Sequence, residues 1–396
     1  SKVNIKSVNV GIAGHHIKSI QHRGTLIREN ADIEISDQEL DKLRLDMFKL
    51  RTAPGEEIVN VIPQEYYVDG EAVGSKRPKG MLGNKLEANF HVIVGQTSAV
   101  KNILKCIEHA GLEMENMILE PIASAASVLG EDEKEAGVAI VDIGGGTTDV
   151  AVFYDSIIYH TAVIPFGGNI ITEDIRHGCS IIRKHAEEIK VKFGSAVASE
   201  NNDDEVVSIP GIRGRDPKEI SFKNLAGIIQ ARLEEIFECV NNEIQKVNAE
   251  NKLIAGIVLT GGGAMMKHIR QLAEFETGME VRIGYPNEYL SNETAGDLAS
   301  PMYSTGIGLV IEGIAQYESD ILRGRKINNQ KNEKFIKEEP QPIQEVDKPK
   351  IEEPTAEQHN EEPSEEEPKE NRDLLKGIVT TFTRFFKQDI DKDITE

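Results

Sequence analysis

The stretch VAIVDIGGGTTDVAVF (Val138–Phe153) decides how the chain is read. Two apolar runs rich in β-branched residues flank Gly144, Gly145, Gly146, Thr147 and Thr148, which predicts two strands joined as a hairpin by a turn with almost no side chains. Such a turn leaves its N–H groups uncovered, so phosphate oxygens can approach them closely and be cradled by their partial positive charge. Asp142 ends the incoming strand, where it is placed to hold Mg2+ or its bound water. The hydroxyls of Thr147 and Thr148 can donate to phosphate, and Asp149 begins the return strand. Three glycines alone are a weak signal, because glycine turns are common in hairpins; DIGGGTTD as a unit is much more specific.

A second glycine run lies in GIVLTGGGAMMKHIRQLAEF, in the order strand, turn, helix. Gly261, Gly262 and Gly263 are expected to deliver a helix N-terminus near Ala264, a ready site for an anion or a nucleotide. Either run alone could be a tight turn. Two at strand ends in one domain favour a nucleotide between them.

Outward from these motifs the chain alternates strands and helices. VNVGIA, EIVNVIPQEYYV and ANFHVIVG read as strands, and SDQELDKLRLDMFKL and TSAVKNILKCIEHAG as helices, the first opening on Ser36 with Glu39 three residues on, the second stopping at Gly111. From Met114 to Leu322 apolar strands separated by helices indicate a layered α/β core. A long insertion, roughly 191–251, holds a charged loop and one long helix, NLAGIIQARLEEIFECVNNEIQKV.

At 396 residues and 39% apolar composition the chain can bury a large core. Its net charge of −22 argues against nucleic acid as a partner and confines any contact with anionic lipid to a local basic patch. Three scattered cysteines with no CxxC pair fit a reduced, cytosolic protein, and no apolar run is long enough to span a bilayer.

DIGGGTTD, followed by IPFGGNIIT and LTGGGA, resembles the second phosphate loop and the adenosine loop of the actin, Hsp70 and sugar-kinase superfamily. EPIASAASVL (Glu120–Leu129) and STGIGLVIEG (Ser304–Gly313) resemble its two connecting helices. Within it the chain is most similar to the FtsA family of bacterial cell-division actin homologues, through VIPQEYYVDG, HVIVGQTSAVKNILKCIEHAGL, HAEEIKVKFGSA, AGIVLTGGGA and YSTGIGL. The resemblance implies an actin-like α/β fold with a ribonuclease H-like core and these divisions: 1–12, the end of subdomain 1A; 13–112, an inserted α/β subdomain 1C; 113–135, the return to 1A; 136–190, subdomain 2A with the phosphate loop; 191–252, subdomain 2B; 253–327, subdomain 2A/1A with the adenosine loop; 328–371, a disordered acidic linker; and 372–390, a membrane-targeting amphipathic helix. It implies ATP and Mg2+ as ligands, with Gly144, Gly145, Gly146, Thr147 and Thr148 on the phosphates, Asp142 serving Mg2+, Gly167 and Gly168 alongside, Glu187 and Lys190 at the ribose or adenine edge, and Gly261, Gly262 and Gly263 around the adenosine. Without the family, Glu187 and Lys190 read as a solvated ion pair. The resemblance also places Arg232 where a tubulin-like partner, FtsZ, would present its acidic C-terminal peptide; alone, Arg232 is a helix-surface arginine. The family's first phosphate loop has no counterpart in the sequence given, which points either to a fragment or to weakened nucleotide binding.

The tail decides the remaining expectation. Residues 331–370 hold six of the fifteen prolines and fourteen acids against six bases, a composition on which no core can be built. They are followed by RDLLKGIVTTFTRFFKQ (Arg372–Gln388). On a helical wheel Leu374, Leu375, Ile378, Val379, Phe382, Phe385 and Phe386 share one face, with Lys376, Arg384 and Lys387 on the flanks and opposite side. An apolar face with basic borders suits an in-plane helix on anionic lipid, and the linker gives it reach. Docking on the protein's own core and oligomerisation are the other readings of this helix. The leading functional reading is a polymer-forming, ATP-binding adaptor, a slow ATPase at most. It would tie the FtsZ ring to the cytoplasmic face of the membrane at the division septum and help recruit other division proteins. A small-molecule kinase or phosphatase, or an Hsp70-type chaperone, is the alternative.

Overall fold

The computed structural model describes residues 5–14, 16–74, 77–211, 216–247, 252–286, 290 and 295–322. The linker expected at 328–371 and the amphipathic helix at 372–390, with all its membrane-facing candidates, lie outside the described residues.

Strand β1 (Ser7–Ile12) leads into an inserted module made of β2 (Ile17–Ile27), α1 (Asp37–Met47), β3 (Glu56–Val68), β4 (Glu71–Gly74) and β5 (Lys85–Gln96). Its four strands form an antiparallel sheet in the order β2-β5-β3-β4. Leu40, Leu43 and Met47 of α1 share a core with Leu86, Ala88 and Phe90 of β5. The helix opens on Ser36 as its sequence predicts: Ser36 Oγ accepts from the Glu39 N–H, while the Glu39 carboxylate accepts from the Ser36 N–H at 2.9 Å. Arg28 Nε, 2.7 Å from Glu39, is the main reason that carboxyl stays at about 2. Helix α2 (Thr97–His109) ends just before Gly111, and β6 (Glu113–Leu119) then runs parallel to β1.

The chain continues with α3 (Glu120–Val128) and α4 (Glu131–Ala136), followed by β7 (Val138–Ile143), β8 (Thr148–Tyr154) and β9 (Ile157–Ile164). Then come α5 (Gly168–Gly178), α6 (Arg183–Phe193), the hairpin of β10 (Val206–Ile209) and β11 (Lys218–Ser221), and α7 (Phe222–Lys246). The described chain closes with β12 (Ile257–Thr260), α8 (Ile269–Thr277), β13 (Val281–Ile283), α9 (Ala295–Leu298) and α10 (Ser304–Leu322). Five strands form one sheet, β13-β12-β7-β8-β9, in which β12 is parallel to both neighbours and β7, β8 and β9 are antiparallel.

Alternation along β7 explains why its sequence is apolar throughout. Ala139, Val141 and Ile143 join one core with residues of α5 to α8, including Ile175, Ile189 and Phe237, while Val138 and Ile140 join another with Ala125 and Val128 of α3. Helices cover both faces, so every position of β7 is buried. Helix α10 crosses α3 so closely that a Cβ on Gly308 would lie 1.7 Å from the Ala123 carbonyl oxygen; only glycine fits this crossing.

Candidate functional site

The turn between β7 and β8 is held from below. Its own closure is the Gly144 N–H to Thr147 carbonyl bond at 2.9 Å, and the start of α5 grips it from the side: the Gly168 N–H donates to the Gly144 carbonyl at 2.9 Å and the Asn169 N–H to that of Gly145 at 2.7 Å. The carbonyls of Gly144, Gly145 and Thr147 are therefore engaged. Among the described residues the N–H groups of Gly145, Gly146 and Thr147 have no acceptor, and Gly145 and Gly146 are exposed. A turn with three carbonyls engaged and three N–H donors unpaired is suited to receive an anion.

Beside it lies a group of carboxylates. Asp142 Oδ2 accepts from Ser124 Oγ of α3 at 2.6 Å and from Thr305 Oγ1 of α10 at 3.0 Å, and the two hydroxyls are 3.0 Å apart. Burial raises the Asp142 pKa against the pull of these bonds. Asp149 is 3% exposed; its Oδ2 accepts from Thr147 Oγ1 at 2.8 Å, whereas its Oδ1 is buried without a partner. Burial first, then Glu120 and Asp142, push the Asp149 carboxyl up to about 7. Glu120 is raised in turn by burial and by Asp142. Three carboxyls disfavouring one another's charge, one with an orphaned oxygen, suit a cation. Among the described residues no three His, Cys, Asp or Glu side chains come close enough to chelate a metal directly.

The second glycine turn follows β12, whose register sets Thr260 beside Asp142. Both turns thus leave the same ends of two adjacent parallel strands, where ligands of α/β sheets gather. Gly261 has φ +83°, and a Cβ there would lie 2.2 Å from Asp142 Oδ1. The helix expected near Ala264 starts later: Gly263–Met265 is a single 3-10 turn, His268 adopts a left-handed conformation, and α8 begins at Ile269. Gly261 is bonded to the Pro301 carbonyl and wedged against Ile143, so the chain must first turn away from β7 before it can coil.

Thr148 is placed differently from its expectation. It is fully buried and donates to the Phe166 carbonyl at 2.8 Å, because alternation along β8 sends it to the face opposite Thr147 and Asp149. Gly167 and Gly168 lie directly against the turn. Glu187 and Lys190 do share one face of α6, and they act as a brace: Lys190 Nζ donates to Glu187 Oε2, Thr172 Oγ1 and the Gly168 carbonyl, each at 2.8 Å. Burial alone would raise Glu187, but the bonds from Lys190 and Thr172 outweigh it and hold its carboxyl below the usual range. Replacing Lys190 by methionine removes the charged donor and leaves only the Thr172 hydroxyl to serve both Glu187 and the Gly168 carbonyl; we expect a loss of about 2 kcal/mol, read as a lower urea midpoint, the half-exposed Glu187 keeping the loss below that of a fully buried pair. Arg232 is engaged within the chain, its guanidinium donating to both oxygens of Asp174 on α5 at 2.6 and 3.2 Å and to Glu235. Ser124, Thr305 and Asn169 carry roles that sequence reasoning missed; the small residues of EPIASAASVL and STGIGL were the trace of the first two, and IPFGGNIIT that of Asn169.

A sheet of this order, with two glycine turns at its strand ends and two small-residue helices crossing beneath them, defines an actin-like protein. In agreement, the solved PilM-PilN type IV pilus biogenesis complex superposes with a TM-score of 0.52 over 78% of this chain and 80% of that one, at 14% identity. The family model "Cell division protein FtsA" matches residues 139–308, and "SHS2 domain inserted in FTSA" matches residues 14–94, the module between β1 and β6. Cell division protein FtsA of Pseudomonas aeruginosa is 39% identical over 80% of this chain and 74% of its own length; that of Escherichia coli is 36% identical over 78% and 74%, and that of Bacillus subtilis 33% over 84% and 73%. The chain belongs to the FtsA family.

Proposed function

We propose that this chain is an ATP-binding, self-associating adaptor that ties the FtsZ ring to the cytoplasmic face of the membrane at the division septum. The observation that carries the nucleotide part is the turn itself: three N–H groups without an acceptor, close in sequence to an orphaned carboxylate oxygen of Asp149. ATP with Mg2+ would supply the anion and cation that these groups lack, bridging the two glycine turns. In this reading Gly145, Gly146 and Thr147 bind phosphate through their main chain, while Asp142 and Asp149 hold the hydrated ion. Gly261 to Gly263 border the adenosine, and the Lys190 brace fixes the start of α5 beneath the turn. The subdivision of the chain into 1A, 1C, 2A and 2B is part of the proposal. Family membership supports division partners and self-association. The membrane contact rests on the sequence of Leu374–Lys387, and no described helix is long and apolar enough to cross a bilayer instead.

One experiment joins these parts. Anionic vesicles are floated with a labelled acidic FtsZ tail peptide and either the full chain or one ending at Asn371. The peptide is expected to float only with the full chain, more with ATP and Mg2+ present, and Arg232→Glu is expected to lose the peptide while still floating itself. Equal flotation of both chains would remove the membrane role; a superfamily kinase would recruit no peptide under any condition.

A further inference from the structure

Strand β9 is an edge of the five-stranded sheet, and its outer side is met by side chains of the inserted module in place of another strand. Ser19 Oγ donates to the Thr161 carbonyl at 3.1 Å, Gln21 Nε2 to that of Tyr159 at 3.2 Å, and Gln64 Nε2 to that of Ile158. At the centre His91, wholly buried, has Gln21 Nε2 3.1 Å from its Nδ1 and Thr161 Oγ1 2.9 Å from its Nε2. An amide nitrogen only donates, so Nδ1 accepts and the ring proton sits on Nε2, directed at Thr161. The Gln21 amide cannot simply turn over, because its oxygen would then face the Tyr159 carbonyl oxygen. A second ring proton would meet the Gln21 amide hydrogens. The contact therefore admits only a neutral imidazole.

We propose that this contact is a proton-sensitive clasp: neutral His91 holds the inserted module against the edge of the phosphate-turn sheet, and protonation of the ring parts that edge contact while the packing of Ile93 with Ile12 and Leu119 keeps the module attached. Among the described residues the titratable group facing His91 from its neighbours is His160 of β9, itself paired with Glu243 of α7 at 2.9 Å. Burial, and then His160, hold His91 down at about 4. A depressed histidine stabilises the closed form above the free-imidazole value, and that stabilisation is lost as pH falls from about 6.5 toward 4. Between pH 7.5 and 5 the opening constant should rise about 30-fold. The strand continues through Phe166 to Gly168, which grips the turn, so release also frees the chain leading into that grip. This last consequence rests on the nucleotide reading; the clasp does not.

The test is hydrogen exchange on the full chain at pH 7.5 and 5, corrected for intrinsic rates, following peptides from β9 (Ile157–Ile164) and from β5. Because the module bonds only carbonyls of the β9 main chain, the amide that reports the parting is that of Thr161, 5% exposed beneath it; we expect its exchange to quicken about 30-fold at pH 5 while the β5 ladder with β3 keeps its protection. Thr161→Val, which removes the acceptor, should quicken exchange at that position already at pH 7.5, and His91→Gln should abolish the pH response. Simultaneous loss in β9 and β5, no response of β9 to pH, or a wild-type response in His91→Gln would each overturn the clasp. Should His91→Gln fail to fold, the wild-type pair of pH values and Thr161→Val decide. Binding of ATP is measured separately, so a chain that opens in acid yet binds no nucleotide would keep the clasp and reject the nucleotide reading.

Discussion

Gly261→Ala is expected to cost about 3 to 5 kcal/mol of unfolding free energy, the range in which strain and overpacking combine. Two terms add. At φ +83° an alanine pays on the order of 1 kcal/mol for a left-handed backbone. The added methyl would also lie 2.2 Å from Asp142 Oδ1 and 2.7 Å from the Ile143 carbonyl oxygen. The carbonyl belongs to the end of a central strand, and the carboxylate is pinned through its other oxygen by Ser124 and Thr305, so neither yields cheaply. Gly262→Ala is the control: it is right-handed, and its added methyl would find nothing nearer than Met302 Cγ at 3.6 Å, an ordinary contact. Urea unfolding should separate the two variants by several kcal/mol; similar midpoints would mean that the second glycine turn does not pack on Asp142. In the variant that survives, Asp142 has been pushed aside, and on the proposed nucleotide reading affinity for ATP with Mg2+ should fall with it.

The second large effect is one of pH. Asp149 holds its proton to about 7 when folded, against 3.8 for the free side chain. A carboxyl whose folded pKa is raised binds more protons in the native than in the unfolded state through that interval. Stability is then greatest below the unfolded value and declines as pH climbs toward the folded one. Asp149→Asn removes that decline. At pH 8 we expect the variant to be more stable than the parent by on the order of 1 to 3 kcal/mol, after allowing for a buried amide that inherits the orphaned site. At pH 4 the gap should close or reverse. Glu120 and Asp142 are raised in the same direction, so the parent slope shrinks in the variant without vanishing. Unfolding curves at pH 4, 6 and 8 settle it, and parallel curves for the two proteins would show that Asp149 carries no such burden.

Much of the frame could be read from the chain because it is written in local pattern. Two buried runs around three glycines predict β7, the turn and β8; Ser36 and Glu39 predict the start of α1; an unbroken helical period predicts α7. What escaped was set by distance along the chain. Asp142 owes its geometry to a serine eighteen residues before it and a threonine 163 residues after, joined only by the crossing of α3 and α10. Thr148 has the residue type of a phosphate donor, yet strand alternation turns it to the face opposite Thr147 and Asp149, where it donates to the Phe166 carbonyl. Arg232 looked free because Asp174, fifty-eight residues earlier, is a neighbour only in three dimensions.

The crossing of α3 and α10 has one more implication. Ser124 and Thr305 stand on different rods yet grasp a single oxygen atom, and the rods touch through Gly308 with nothing between them to act as a cushion. Any scissoring of the pair must pull one hydroxyl from that oxygen before the other, so the angle between the rods is written directly into how comfortably Asp142 carries its charge.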